Sequence, residues 1–188
     1  LLLLCVPLIG LGQQTWETTF GGTGLYGGYS VQQTTDGGYI ISGVSSPLAN
    51  SSEFDVYLIK TDVSGIEQWN KTFGGTGEDH GFSVQLTTDG GYIITGWTES
   101  LGNGNGIFDV YLIKTDGSGI EQWNKTFDGP GSVAAFGNSV QQTNDGGYVI
   151  TGGSGGSGGF VYLIKTDGSG IEQWNKTFGG TGNDRGRS

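Results

Sequence analysis

Methionine is absent from the 188 residues of this chain, cysteine and histidine occur once each, and proline occurs three times. A single cysteine, Cys5, excludes an internal disulfide framework. A single histidine, His80, has no second His or Cys with which to share a transition metal, and it is the one imidazole on offer to a nucleophilic triad. Basic residues are also few: eight Lys and Arg stand against eighteen Asp and Glu, a formal net charge of −10. Nucleic acid and anionic membrane surfaces both demand a basic face, so neither is expected as a partner. No apolar run reaches the roughly 20 residues of a membrane-spanning helix.

The apolar run LLLLCVPLIGLG at residues 1–12 has the shape of a signal-peptide core, with Gly10 and Gly12 as the small residues of a cleavage site before Gln13. Cys5 raises lipid attachment as an alternative, against which stand Leu4 and the apolar residues that continue past it. The expectation is a cysteine-free mature chain, secreted or held at the cell surface, with no membrane insertion after cleavage. The run lacks an initiator Met and a basic leader, and the last residue, Ser188, falls where Ser30 and Ser83 fall in earlier copies of a repeat, so both ends read as cut.

That repeat is what the chain has in plenty. Residues 55–73 read DVYLIKTDVSGIEQWNKTF, residues 109–127 differ from them only by Gly117 for Val63, and residues 161–178 repeat the stretch from VYLIKT onward. Units start near Trp16, Trp69, Trp123 and Trp174, a period of about fifty residues that marks an array of one supersecondary module over residues 13–188, its last copy incomplete. The segments SVQQT, GYIISG, DVYLIKT and EQWNKTF are short and rich in Val, Ile, Tyr, Trp and Thr, as strands are. Between them lie TDGG or NDGG and DVSG or DGSG, whose Asp-Gly and Gly-Gly steps tolerate the positive φ of tight hairpin turns. Glycine, 40 residues in all, therefore punctuates strands and does not signal disorder. Apolar residues at consecutive positions in Tyr39–Ile41 and Val56–Ile59 require cover on both strand faces, which stacked sheets provide. The expected fold is all-β: about three four-stranded antiparallel blades of a β-propeller forming an open arc, with a β-trefoil as the runner-up.

These units resemble the secreted β-propeller repeats of bacteria and archaea marked by GGYIITG, DVYLIKTD and a Gly-x-x-x-Trp end, found here as GIEQW at 65–69, 119–123 and 170–174. The same end is similar to the tryptophan-docking element of quinoprotein-type propellers, and the resemblance implies that each Trp packs between neighbouring blades. No paired cysteines and no cofactor cluster accompany it, so no cofactor is expected.

Candidate functional residues lie where the copies disagree, because function concentrates on variable loops carried by a rigid scaffold. The stretches 44–54, 97–107 and 153–159 share one expected face, and Trp97, Glu99, Asn103 and Asn105 of the second copy form its richest contact set. Trp97 stands where the other copies have Val44 and Gly153, which suggests an aromatic that stacks on a sugar or a partner side chain, or one that covers its own blade. Glu78, Asp79 and Asp184 are the oxygen donors a calcium ion would use. The first copy has Leu25 and Tyr26 there, and no DxDxDG loop occurs, so these acids read as solvated turn residues and His80 as an exposed loop residue. The repeated acids Asp62, Asp116, Asp167, Glu67, Glu121 and Glu172 recur with the turns and outer strands and are assigned to construction. No catalytic residue is named. The expected function is a non-catalytic scaffold that presents its loops to a protein or glycan. The alternative is a fragment of a carbohydrate-active enzyme whose acids lie in other blades.

Overall fold

A computed structural model of the chain describes residues 17–46, 53–102, 107–131, 133–155 and 159–179. The proposed leader at 1–12, Asn103, Asn105 and Asp184 lie outside the described residues. Twelve strands follow one another with no helix among the described residues: β1 (Leu25–Gln33), β2 (Tyr39–Ser46), β3 (Asp55–Thr61), β4 (Glu67–Phe73), β5 (Asp79–Leu86), β6 (Tyr92–Thr98), β7 (Asp109–Thr115), β8 (Glu121–Phe127), β9 (Ala135–Gln142), β10 (Tyr148–Ser154), β11 (Phe160–Thr166) and β12 (Glu172–Phe178). They form three antiparallel four-stranded sheets in sequence order, β1 to β4, β5 to β8 and β9 to β12, none of which closes on itself.

Each tight turn has a local cause. In the β1–β2 turn, Gly37 takes φ 84°, which costs a residue without a Cβ nothing, and its N–H donates to the Thr34 carbonyl at 2.9 Å. The β3–β4 turn is held by Asp62, whose Oδ1 accepts from the N–H groups of Ser64 (2.8 Å) and Ile66 (2.9 Å). Asp116 and Asp167 repeat that geometry, so the recurring turn acids are structural. The hairpins β1–β2 and β3–β4 therefore turn at one end of the first sheet, and the longer connections β2–β3 and β4–β5 share the other.

Strand alternation explains the consecutive apolar letters. In β7, Val110 and Leu112 point into one core and Tyr111 and Ile113 into the other. The first core buries Ile40, Val56, Leu58 and Phe73 of sheet one against Val84, Tyr92 and Ile94 of sheet two, with Trp69 at its margin. The second repeats it one unit on, setting Ile93, Val110, Leu112 and Phe127 against Val140, Tyr148, Ile150 and Ile164, with Trp123 at its margin. Each fully buried side chain of this size contributes roughly 1.5–3 kcal/mol. Strand β5 lies against β1, β2 and β3, and β9 against β5, β6 and β7, so the first strands of successive sheets converge.

The first strand of each sheet starts earlier than its sequence suggests. Glycine-rich residues ahead of SVQQT read as loop, yet β1 pairs from Leu25, with a bulge between Gly28 and Ser30 that lets pairing continue through them. The same bulge between Gly81 and Ser83 brings Asp79 and His80 into β5, opposite Thr98 and Trp97. Opposite the bulge stands Gly43, or Gly96 in the second sheet, where a Cβ would overlap the carbonyl oxygen of Gly27 or His80. That close approach is the reason for the invariant glycine in YIISG and YIITG.

Candidate functional site

At the tight-turn end the repeated Lys, Asp and Gln residues come together, and they are used in construction. Lys60, Lys114 and Lys165 are buried in β3, β7 and β11. The Lys60 ammonium donates to both oxygens of Asp36 (3.1 and 2.8 Å), to the Thr61 carbonyl (2.8 Å) and to Gln68 Oε1 (3.0 Å). One cation thus joins the β1–β2 turn, β3 and β4. Lys114 makes the same set with Asp89, Thr115 and Gln122, and Lys165 with Asp145, Thr166 and Gln173. Hydrogen bonds from Lys60 and then Thr34 hold the Asp36 carboxyl well below the ordinary range. At Asp89 burial pushes upward, and the bonds from Lys114, Thr87 and Gly91 outweigh it, leaving the carboxyl at about 2. Thr143 and Lys165 lower Asp145 in the same way.

Sequence reading missed these hubs. Their signal was present: Asp-Gly-Gly, the Lys of LIKT and the Gln of EQW occur together in every copy. Trp69 and Trp123 pack against the next sheet, whereas Trp174 is exposed. The Trp69 ring lies 6.0 Å from that of Tyr92 and Trp123 5.8 Å from Tyr148, each on the next sheet. A Cβ on Gly119, at φ 76°, would fall 2.6 Å from Trp69 Cζ3, so that turn residue forms the floor on which the indole rests.

The non-repeated residues gather at the opposite end. Trp97 is not a loop residue: it is in β6, 7% exposed, with its ring 4.2 Å from His80 in a near-parallel stack and 4.3 Å from Phe108. The position does have a packing role in another copy, since Val44 at the same register is 5% exposed. Trp97 enlarges an existing slot and fills it against Phe108 and Phe136. His80 is likewise not an exposed loop residue. Its Nε2 lies 3.6 Å from Glu78 Oε2, too long for a hydrogen bond, and has no hydrogen-bond partner. Burial lowers its pKa against the opposing charge of Glu78, which favours the neutral ring that stacks on Trp97.

Glu99 is exposed, and its backbone N–H donates to the Glu78 carbonyl at 2.9 Å, tying the β4–β5 connection to the end of β6. Leu101 beside it is 40% exposed. Asp79 departs most from expectation. It is fully buried at the start of β5, and its N–H donates to the Phe54 carbonyl of the first sheet at 2.6 Å. The solvated-turn reading holds for neither Asp79 nor His80, because the bulge carries the strand through them. Among the described residues no group of three or more His, Cys, Asp or Glu is placed to hold a metal ion.

No protein-family model matches the chain, and no curated protein does. Among solved structures the chain is similar to a protein of unknown function from Bacteroides caccae, with a TM-score of 0.52 and 14% identity over 83% of this chain. The chain spans 47% of that protein's length. At that identity the likeness is one of all-β fold. Sqt1 from Chaetomium thermophilum is similar at a TM-score of 0.41 and 14% identity, covering 83% of this chain and 36% of its own.

Proposed function

We propose that the three sheets are blades of a β-propeller arc and that the chain is a non-catalytic binding scaffold, exported to the cell surface or beyond, presenting the end formed by its longer connections to a protein or glycan. The observation that carries this reading is the division of labour between the two ends. At the tight-turn end the repeated Asp, Lys and Gln residues are tied into turns or lysine hubs, and the repeated Glu of the fourth strand accepts a hydrogen bond from the Asn three residues on. The side chains that differ between copies, Glu78, Glu99 and Leu101 among them, cluster at the other end, on the connections that flank the packed strands β5 and β6. A scaffold that holds its variable residues apart from its construction residues suits recognition.

Glu99 and Leu101 carry the contact, and Trp97, packed on His80, Phe108 and Phe136, is part of the scaffold. The test is an array of glycans, cell-wall polymers and surface proteins probed with the wild-type chain and with the double variant Glu99→Ala, Leu101→Ala. Both side chains are exposed, so the fold survives and circular dichroism is unchanged. Loss of the wild-type signal in the variant supports the reading; equal signals, or no signal from any class, overturn it. Trp97→Ala is unsuited to this test, because removing a buried indole costs about 3–5 kcal/mol whatever the ligand.

A further inference from the structure

We propose that Asp55 and Asp79, with the Ser100 hydroxyl, bind a calcium ion at the seam between the first and second sheets. The two carboxylates open β3 and β5, which belong to different sheets. Their oxygens flank one point: a Cβ placed on Gly74 would overlap both Asp55 Oδ1 and Asp79 Oδ2. The two carboxylates come this close to each other, and to the Gly74 backbone, only because Gly74 has no side chain.

Asp79 is itself poorly satisfied in the fold. It is 0% exposed, and only one of its oxygens is satisfied. Oδ2 accepts from the Gly75 N–H at 2.9 Å and from the Ser100 hydroxyl. Oδ1 has no hydrogen-bond partner. A buried carboxylate left half-satisfied is costly, and a second carboxylate beside it makes the arrangement worse unless a positive charge is shared. Among the described residues neither acid has a Lys or Arg partner; the buried lysines are all engaged at the other end of the sheets. Burial raises the Asp55 pKa, with the charges of Asp79 and then Glu53 adding to it.

The chain carries its own control. At the next seam Ala135 takes the place of Asp79 and makes the same backbone bond, N–H to the Phe108 carbonyl at 2.8 Å. The fold therefore closes that seam without a second acid, and Asp79 is an addition that construction does not require. The donor set selects the ion. Carboxylate and hydroxyl oxygens with no nitrogen or sulfur suit a hard divalent cation. Two acids from separate strands, with the remaining positions left to carbonyls and water, suit the flexible coordination of Ca²⁺ better than the strict octahedron of Mg²⁺.

The test uses the whole chain. Thermal unfolding is followed in EDTA and in CaCl₂ or MgCl₂ up to about 10 mM, with calcium titrated calorimetrically; a dissociation constant on the order of 0.1–1 mM is expected. Calcium raises the melting temperature by several degrees, as mass action requires, and magnesium raises it less. Asp55→Asn and Asp79→Asn each weaken binding by at least the ~10-fold seen when even an outer-shell partner of a metal is lost. Asp79→Ala, which copies the next seam, folds and loses the calcium response, while Glu172→Gln on the third sheet keeps it. Terbium luminescence of the wild-type chain gives a readout that needs no variant. No calcium shift in the wild type, or a shift that persists in Asp79→Ala, overturns the proposal. So does stabilisation by mild acid in place of calcium, the mark of two carboxyls sharing a proton.

Discussion

EQWNKTF occurs three times without a change of letter, and its copies β8 and β12 meet opposite fates. In β8 the tryptophan is half-buried against Tyr148, and Phe127 is buried in the core between the second and third sheets. In β12 every residue is exposed, Trp174 at 43% and Phe178 at 54%. Propensity, turn chemistry and the lysine hub are the same in both, so burial here is a property of the neighbour and not of the strand. The opposite face of the array shows the reverse side of the rule. Val84 and Val140 are buried under a preceding sheet, whereas their equivalent in β1, Val31, is 59% exposed. A sheet of this kind is half of two interfaces, and among the described residues only the middle sheet has both halves filled.

The sharpest test of that comparison is the pair Trp123→Ala and Trp174→Ala. The first removes an indole from a seam and is expected to cost about 3–5 kcal/mol; the second removes an exposed one and costs roughly 0.5 kcal/mol. Urea denaturation of the two variants reads the difference, and equal losses would show that the strand itself, not its neighbour, sets the value of the ring. Next in size is Lys114→Met in the doubly covered sheet, which leaves Gln122 and Asp89 without their shared donor and costs about 3 kcal/mol. Asp89→Asn costs less, about 1 kcal/mol, because its carboxylate is more than half exposed and solvent screens the pair.

Acid separates the hubs from the seams. Asp36, Asp89 and Asp145 all have carboxyls depressed in the folded chain, so the folded state binds fewer protons than the unfolded one as the pH falls. Their contribution is complete above the ordinary carboxylate pKa of 3.8 and is lost as the pH drops through about 2, the value at Asp89. Melting temperature should fall between roughly pH 4 and pH 2, and the triple Asn variant should flatten that fall while starting lower. The smallest effect on folding, and the largest on solution behaviour, belongs to the end faces. Light scattering should show association that rises with concentration, and Trp174→Lys with Val31→Lys should suppress it with a change in stability of only about 0.5 kcal/mol.

Much of the fold was legible because its local rules agree. Asp-Gly steps marked the hairpins, and adjacent apolar letters in DVYLIKT announced a strand covered on both faces. Where reading failed, the cause was non-local. The bulge at Gly81 and Ser83 turned apparent loop residues into strand, which moved Asp79 and His80 from solvent to interior. Lys60 reads as a surface residue until Asp36, twenty-four positions earlier, and Gln68, eight later, are brought to it. Trp97 was identified correctly as an exception among the copies, but its cover comes from Phe108 and from Phe136 on the next sheet, which no spacing rule relates to it.

The lysine hubs also set the chemical reactivity of the molecule. Of the six lysines, Lys60, Lys114 and Lys165 have their amines enclosed, while Lys71 and Lys125 are partly open and Lys176 is exposed. Amine-directed labels and trypsin therefore meet two populations on one chain. The open three react with the folded protein; the enclosed three react only when their own sheet opens, and each lies in a different sheet. The rate at which each enclosed amine becomes modified is then a separate clock for the breathing of the sheet that holds it.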